Sequence, residues 1–207
     1  MIQEIVAIID RSGSMYGKES DTIGGINTTI QELKDNKKDD TIKFSLKFFD
    51  HEEELKFRSI NIEDIEPLQV TDLKPRGQTA LYDAMGNTIS FFMEKKLTNP
   101  ESFTSCIIYV ATDGFENASR IYNCETIRNL ISNAKEYNIE LLYLGANQDA
   151  ILEAQKFGLD SSHALNYSET KENVEQAYRS LANVSTRYRS GESIEFTQAE
   201  RMASQVQ

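Results

Sequence analysis

The run Thr104-Ser105-Cys106-Ile107-Ile108-Tyr109-Val110-Ala111-Thr112 constrains this chain more than anything else in it. It is nearly continuous in apolar side chains and lacks the in–out alternation of a strand with one wet face. A strand reads this way at the centre of a parallel sheet whose two faces are both covered by helices. A second apolar run, Ile5-Val6-Ala7-Ile8-Ile9, reads as another buried strand.

The rest of the chain supplies the strand–helix alternation that such a sheet needs. The first strand covers about Glu4 to Asp10. A helix follows from Asp21 or Thr22 to about Asn36, with Ile23, Ile26, Ile30 and Leu33 at helical spacing. Thr41 to Phe49 alternates as a strand. Only Asp50-His51-Glu52 separates it from Glu53 to Ile60, so that pair is expected to be a hairpin with an antiparallel edge strand. Ile62 to Lys74 reads as irregular, with one short helical turn. The helix after Thr79 turns Leu81, Met85, Ile89, Phe92 and Met93 inward and ends before Pro100. Further elements are a helix from Cys124 to Tyr137, a strand from Glu140 to Leu144 and a short helix from Asp149 to Phe157 closed by Gly158. A brief edge strand, Ala164 to Tyr167, and a helix from Lys171 to Arg187 complete the alternation. The expected fold is α/β, doubly wound and Rossmann-like. Its central sheet is mostly parallel with one antiparallel edge strand, and helices cover both faces.

A length of 207 residues suits one compact domain, assigned to residues 1–190. Residues 191–207 read as an extension containing a short helix, because Thr197-Gln198-Ala199-Glu200 fits a capping box. Apolar content there is thin (Ala199, Met202, Ala203, Val206), which suggests a frayed end. The formal charge of −11 repels phosphate backbones, so nucleic acid is not an expected partner. No apolar run approaches a bilayer span, and the N-terminus shows no secretion signal, so no membrane association is expected. Two cysteines without a framework pattern suit a reducing compartment, and the expected location is the cytoplasm.

Chemistry concentrates where the apolar strands end. Asp10, Ser12 and Ser14 alternate in Asp10-Arg11-Ser12-Gly13-Ser14. Thr79 precedes a helix in Arg76-Gly77-Gln78-Thr79, and Asp113 follows the long apolar run. Ligands of open parallel sheets bind beyond the carboxyl ends of strands where the strand order reverses. Five hard oxygen donors from three loops make a divalent-cation site. Mg²⁺ is the first choice, with Mn²⁺ or Ca²⁺ as alternatives. Neither histidine belongs to the set, which disfavours zinc. His51 and His163 read as solvated loop residues; Asp83, four residues after Thr79, is placed to support that loop from the helix but reads first as an ordinary first-turn acid near a helix dipole.

With these five residues in this order, the chain resembles a von Willebrand factor type A domain carrying a complete metal-ion-dependent adhesion site. The similarity runs from about Glu4 to Arg187 and covers the Asp-x-Ser-x-Ser motif, Thr79 within Gly77 to Asp83, and Asp113 within Ala111-Thr112-Asp113-Gly114. Tyr82-Asp83 and Glu116-Asn117 are similar to intracellular bacterial or phage members more than to integrin domains. The resemblance implies that Ser12, Ser14 and Thr79 bind the metal directly and that Asp10 and Asp113 bind directly or through water. It also implies that an acidic residue of a partner completes the coordination. The implied function is a non-enzymatic adaptor or scaffold, with an AAA+ ATPase or a stress-response complex as the implied kind of partner. The alternative is a Mg²⁺-dependent hydrolase or phosphoryl-transfer enzyme using Arg11, Lys18, Arg76 or Arg120 on the strand-end loops.

Overall fold

A computed structural model of the protein describes residues 1–146 and 150–205. Asp149, the expected start of the short helix, and Val206 lie outside the described residues. Six strands form one sheet: β1 (Ile2–Asp10), β2 (Thr41–Phe49), β3 (Glu53–Asn61), β4 (Ser105–Thr112), β5 (Ile139–Ala146) and β6 (Ala164–Tyr167). Their order is β3-β2-β1-β4-β5-β6. Every neighbouring pair is parallel except β2 with β3, so the antiparallel edge strand is present as expected. The direction of winding reverses between β1 and β4, which pair directly from Gln3↔Ser105 to Ile9↔Ala111.

Burial follows from the two-residue period of β1. Ile5, Ala7 and Ile9 face a core closed by α1 (Glu19–Asn36) and α5 (Lys171–Arg189), while Val6 and Ile8 face the opposite core. That second core is closed by α2 (Leu81–Thr98), α3 (Cys124–Ala134) and α4 (Ala150–Lys156). Helices on both faces explain why β1 and β4 carry no polar alternation. Helices α1 and α5 approach closely because Gly25 has no side chain: a Cβ there would lie 2.5 Å from Cδ2 of Tyr178. The irregular stretch after β3 contains two 3₁₀ turns rather than one, Ile62–Asp64 and Val70–Asp72. It buries Ile62, Ile65, Leu68 and Leu73 and is tied to α1 by Asn27, whose amide bonds both Leu68 N and O.

The frayed-end expectation for the last residues is corrected. Ile194 and Phe196 are buried, and α6 (Gln198–Ala203) docks beside β6 through Arg201, which donates to the carbonyls of Ala164 and Ser161. The anchoring is by side-chain-to-backbone bonds and by two apolar residues upstream of the helix, so the helix itself shows little apolar pattern.

Glu200 fixes this extension. It accepts from both terminal nitrogens of Arg187 at 2.8 and 2.9 Å and from the backbone N–H of Thr197 at 2.8 Å. Burial opposes its charge, but the bonds from Arg187 and Thr197 outweigh burial and lower its pKa from 4.5. The unfolded chain therefore binds this proton first as pH falls. The stability contributed is full above pH 4.5 and is lost as pH drops through the folded-state value. In denaturant titrations, Glu200→Gln should lower stability by about 2 kcal/mol at neutral pH, because a partly buried guanidinium loses its partner. The difference from wild type should shrink in acid.

Candidate metal-binding site

Three loops meet at the switch point. The first leaves β1 at Asp10, whose Oδ1 accepts from Ser12 N at 2.6 Å, and turns through the 3₁₀ segment Gly13–Met15. The second loop, 76–80, runs alongside it. Arg76 N donates to Arg11 O (2.8 Å) and Gly13 N to Gly77 O (3.2 Å). Gly77 has φ +67°, and a Cβ there would fall 2.1 Å from Nδ1 of His51, so both backbone and space require glycine. The third loop follows β4. Its Asn117 Oδ1 accepts from Thr79 N (2.9 Å), and the N–H groups of Asn117 and Ala118 donate to Thr79 O (3.0 and 3.2 Å).

These backbone ties bring all five residues of the sequence-derived set together. Ser12 Oγ lies 3.0 Å from Ser14 Oγ, and Ser14 Oγ donates to Asp113 Oδ1 at 2.5 Å. Thr79, Ser14 and Asp10 converge on Gly114. A Cβ on it would stand 3.3 Å from Thr79 Oγ1, 3.4 Å from Ser14 Oγ and 3.7 Å from Asp10 Oδ2. Asp10, Ser12 and Thr79 are buried, and Ser14 opens to solvent.

The carboxylates differ in their surroundings. Burial pushes the Asp10 pKa from 3.8 up to about 6; hydrogen bonds from Thr112 and Ser12 oppose the rise, and the charge of Asp113 adds to it. A carboxylate held this way is relieved by a cation. Asp113 is already neutralised in part, because the Lys18 ammonium pairs with its Oδ2 and also with Glu169. Thr112, Asn117, Lys18 and Glu169 shape the site without belonging to the sequence motif.

Other expectations change. Asp83 is no ordinary first-turn acid: its carboxylate accepts the backbone N–H groups of Arg120, Ile121 and Tyr122 at 2.8–2.9 Å and so fixes the third loop. Glu116 plays the matching part from the other side, accepting from the N–H groups of Tyr82, Ala118 and Ser119. His163 is largely buried, which lowers its pKa, and it is not a solvated loop residue. A second cluster, Asp50, His51 and Glu52, brings its polar atoms within 4.8 Å of one another. Asp50, however, is already shared by Arg11 Nε (2.9 Å) and Arg76 Nε (2.8 Å).

Fold and site together define a doubly wound α/β domain whose switch-point crevice is lined by hydroxyl and carboxylate oxygens. The family model of the von Willebrand factor type A domain matches residues 4–186, and the chain belongs to that family. Among solved structures it is similar to the vWF domain of the type V pili tip protein Mfa5 from Porphyromonas gingivalis. That match has 12% identity, TM-score 0.63, and covers 92% of this chain and 96% of that one. It is also similar to proximal thread matrix protein 1 from the mussel byssus with a zinc-occupied MIDAS motif (12% identity, TM-score 0.61, 89% and 46% covered). A third is the pilus adhesin SpaC from Lactobacillus rhamnosus GG (13% identity, TM-score 0.63, 89% and 30% covered). Identities this low carry the fold. The chain spans less than half of the mussel and SpaC chains. No curated protein matches it by sequence. Among the described residues, no helix is long and apolar enough to cross a membrane.

Proposed function

We propose that this domain is a metal-dependent protein-binding module, in which Asp10, Ser12, Ser14, Thr79 and Asp113 form a complete metal-ion-dependent adhesion site. The observation that carries the reading is the convergence of Thr79 Oγ1, Ser14 Oγ and Asp10 Oδ2 around Gly114, with Ser12 and Asp113 joined through Ser14. The donors are all hard oxygens and only two are charged, which fits Mg²⁺, with Mn²⁺ or Ca²⁺ as alternatives. A bound cation would supply an electrophilic centre for an Asp or Glu side chain of a partner.

The rim suits a protein partner. Tyr16, two residues from Ser14, is 78% exposed, and Phe115, two residues from Asp113, is 59% exposed. Aromatic side chains beside a charged anchor are the usual composition of a protein-binding hot spot. A phosphoryl-transfer reading has less support. Arg11 and Arg76 are engaged by Asp50, and Lys18 by Asp113 and Glu169. We therefore propose no catalytic role. As part of the same proposal, the domain works in the cytoplasm of an intracellular bacterial or phage system, on an AAA+ ATPase or a stress-response complex.

The test is capture from native extract with Mg²⁺ or with EDTA, preceded by calorimetry with Mg²⁺, Mn²⁺, Ca²⁺ and Zn²⁺, the last because the mussel motif has been seen with zinc. A partner should be retained with Mg²⁺, released by EDTA and lost with Asp10→Asn. Tyr16→Ala with Phe115→Ala should weaken capture while leaving the calorimetric metal binding unchanged. Capture indifferent to EDTA, or turnover of a generic phosphate ester that Asp10→Asn abolishes, would overturn the proposal.

A further inference from the structure

We propose that Lys18 is a built-in competitor for the metal: its ammonium bridges Asp113 to Glu169 and withdraws onto Glu169 when a divalent cation takes Asp113. The inference rests on the metal-site reading above and assigns a determinant of affinity that lies outside the motif.

Lys18 occupies the N-cap of α1, where its side chain makes no capping bond. A cation there opposes the helix dipole, so the helix gives no reason for a lysine. The reason lies across the crevice. Nζ contacts Oδ2 of Asp113 and Oε1 of Glu169, two carboxylates that approach from separate loops. The bridge has an inner and an outer end: the Asp113 side chain is 2% exposed, whereas Lys18 and Glu169 are 29% and 28% exposed. Beside it lies a small cavity of about 30 Å³, the size of one water molecule, lined by both ends of the bridge and by Met15, Asp21 and Tyr167. A lysine ammonium is charged at neutral pH, so Lys18 must move aside when a cation takes Asp113. A divalent ion reaching Asp113 meets a positive charge already on that carboxylate, and the repulsion is relieved only if Glu169 retains the ammonium.

The ordering of three variants tests this. In calorimetric titrations with Mg²⁺ alone at low salt, Lys18→Met should bind about tenfold more tightly than wild type, with the gap narrowing as salt screens the charge. Glu169→Gln should bind more weakly, since Lys18 then has no second carboxylate. Most of that loss should vanish in the Lys18→Met background, because the two residues act as one device. Lys18→Gln provides a second neutral variant, and thermal unfolding in EDTA confirms that each protein is folded. If wild type binds Mg²⁺ and both neutral variants bind equally or more weakly, Lys18 supports the site and the proposal falls. Strict additivity of the Lys18 and Glu169 effects would also overturn it. Absence of binding in every protein tested would instead refute the metal-site reading itself.

Discussion

Mg²⁺ should raise the thermal midpoint of the wild-type protein by about 5–10 °C at a hundredfold excess over its Kd, and should not raise that of Asp10→Asn. In EDTA well above pH 6, the same variant should be at least as stable as wild type. The two expectations have one cause. Asp10 is wholly buried and its pKa rises from 3.8 to about 6, chiefly by desolvation. Between those values the folded state binds more protons than the unfolded state, so stability falls as pH rises through the window. Above it the charge costs at most roughly 3 kcal/mol, which a bound cation offsets and asparagine removes. The amide can still accept from Ser12 N, and Thr112 Oγ1 has a second acceptor in Gly114 O at 3.2 Å. Chemical unfolding in EDTA should therefore show the variant's advantage disappearing as pH falls toward 3.8. A large loss of stability on Asp10→Asn in EDTA would mean that the carboxylate braces the loops on its own.

The sheet was legible because burial on both faces writes a continuous apolar run, and the hairpin because three residues cannot carry a crossover. Sequence order also located the five residues that converge, since strand ends at a switch point are the places from which side chains can meet. What braces them left no such trace. Thr79 N is held by the side-chain Oδ1 of Asn117, and Asp83 caps the loop 120–122; neither contact has a period or a fixed spacing. The start of α1 was missed for a related reason. Lys18 at its N-cap is not a residue that signals a helix beginning, and its partners Asp113 and Glu169 are remote in sequence. His163 and the last helix show the same thing, because local polarity says nothing of a side chain that folds back onto the body.

Asp50→Ala should cost about 3 kcal/mol and weaken Mg²⁺ binding, although Asp50 is not among the five converging donors. Its Oδ2 is shared by Arg11 and Arg76, its Oδ1 accepts from Glu52 N at 2.6 Å, and its carbonyl accepts from Ala80 N at 2.8 Å. Arg11 lies between Asp10 and Ser12, and Arg76 begins the loop that carries Thr79. Asp50 thus ties together the first two loops of the site from beneath. Removing it leaves one buried guanidinium and one half-exposed guanidinium without their common acceptor, and both loops lose an anchor. His51→Ala and Glu52→Gln should leave the Mg²⁺ titration unchanged. Asp50 is already charge-balanced by two arginines, which makes the cluster of Asp50, His51 and Glu52 a poor place for another cation. The opposite pattern, with binding lost on His51→Ala or Glu52→Gln and kept on Asp10→Asn, would move the metal to that cluster. Asp50 therefore acts on the proposed metal site through the arginines it holds.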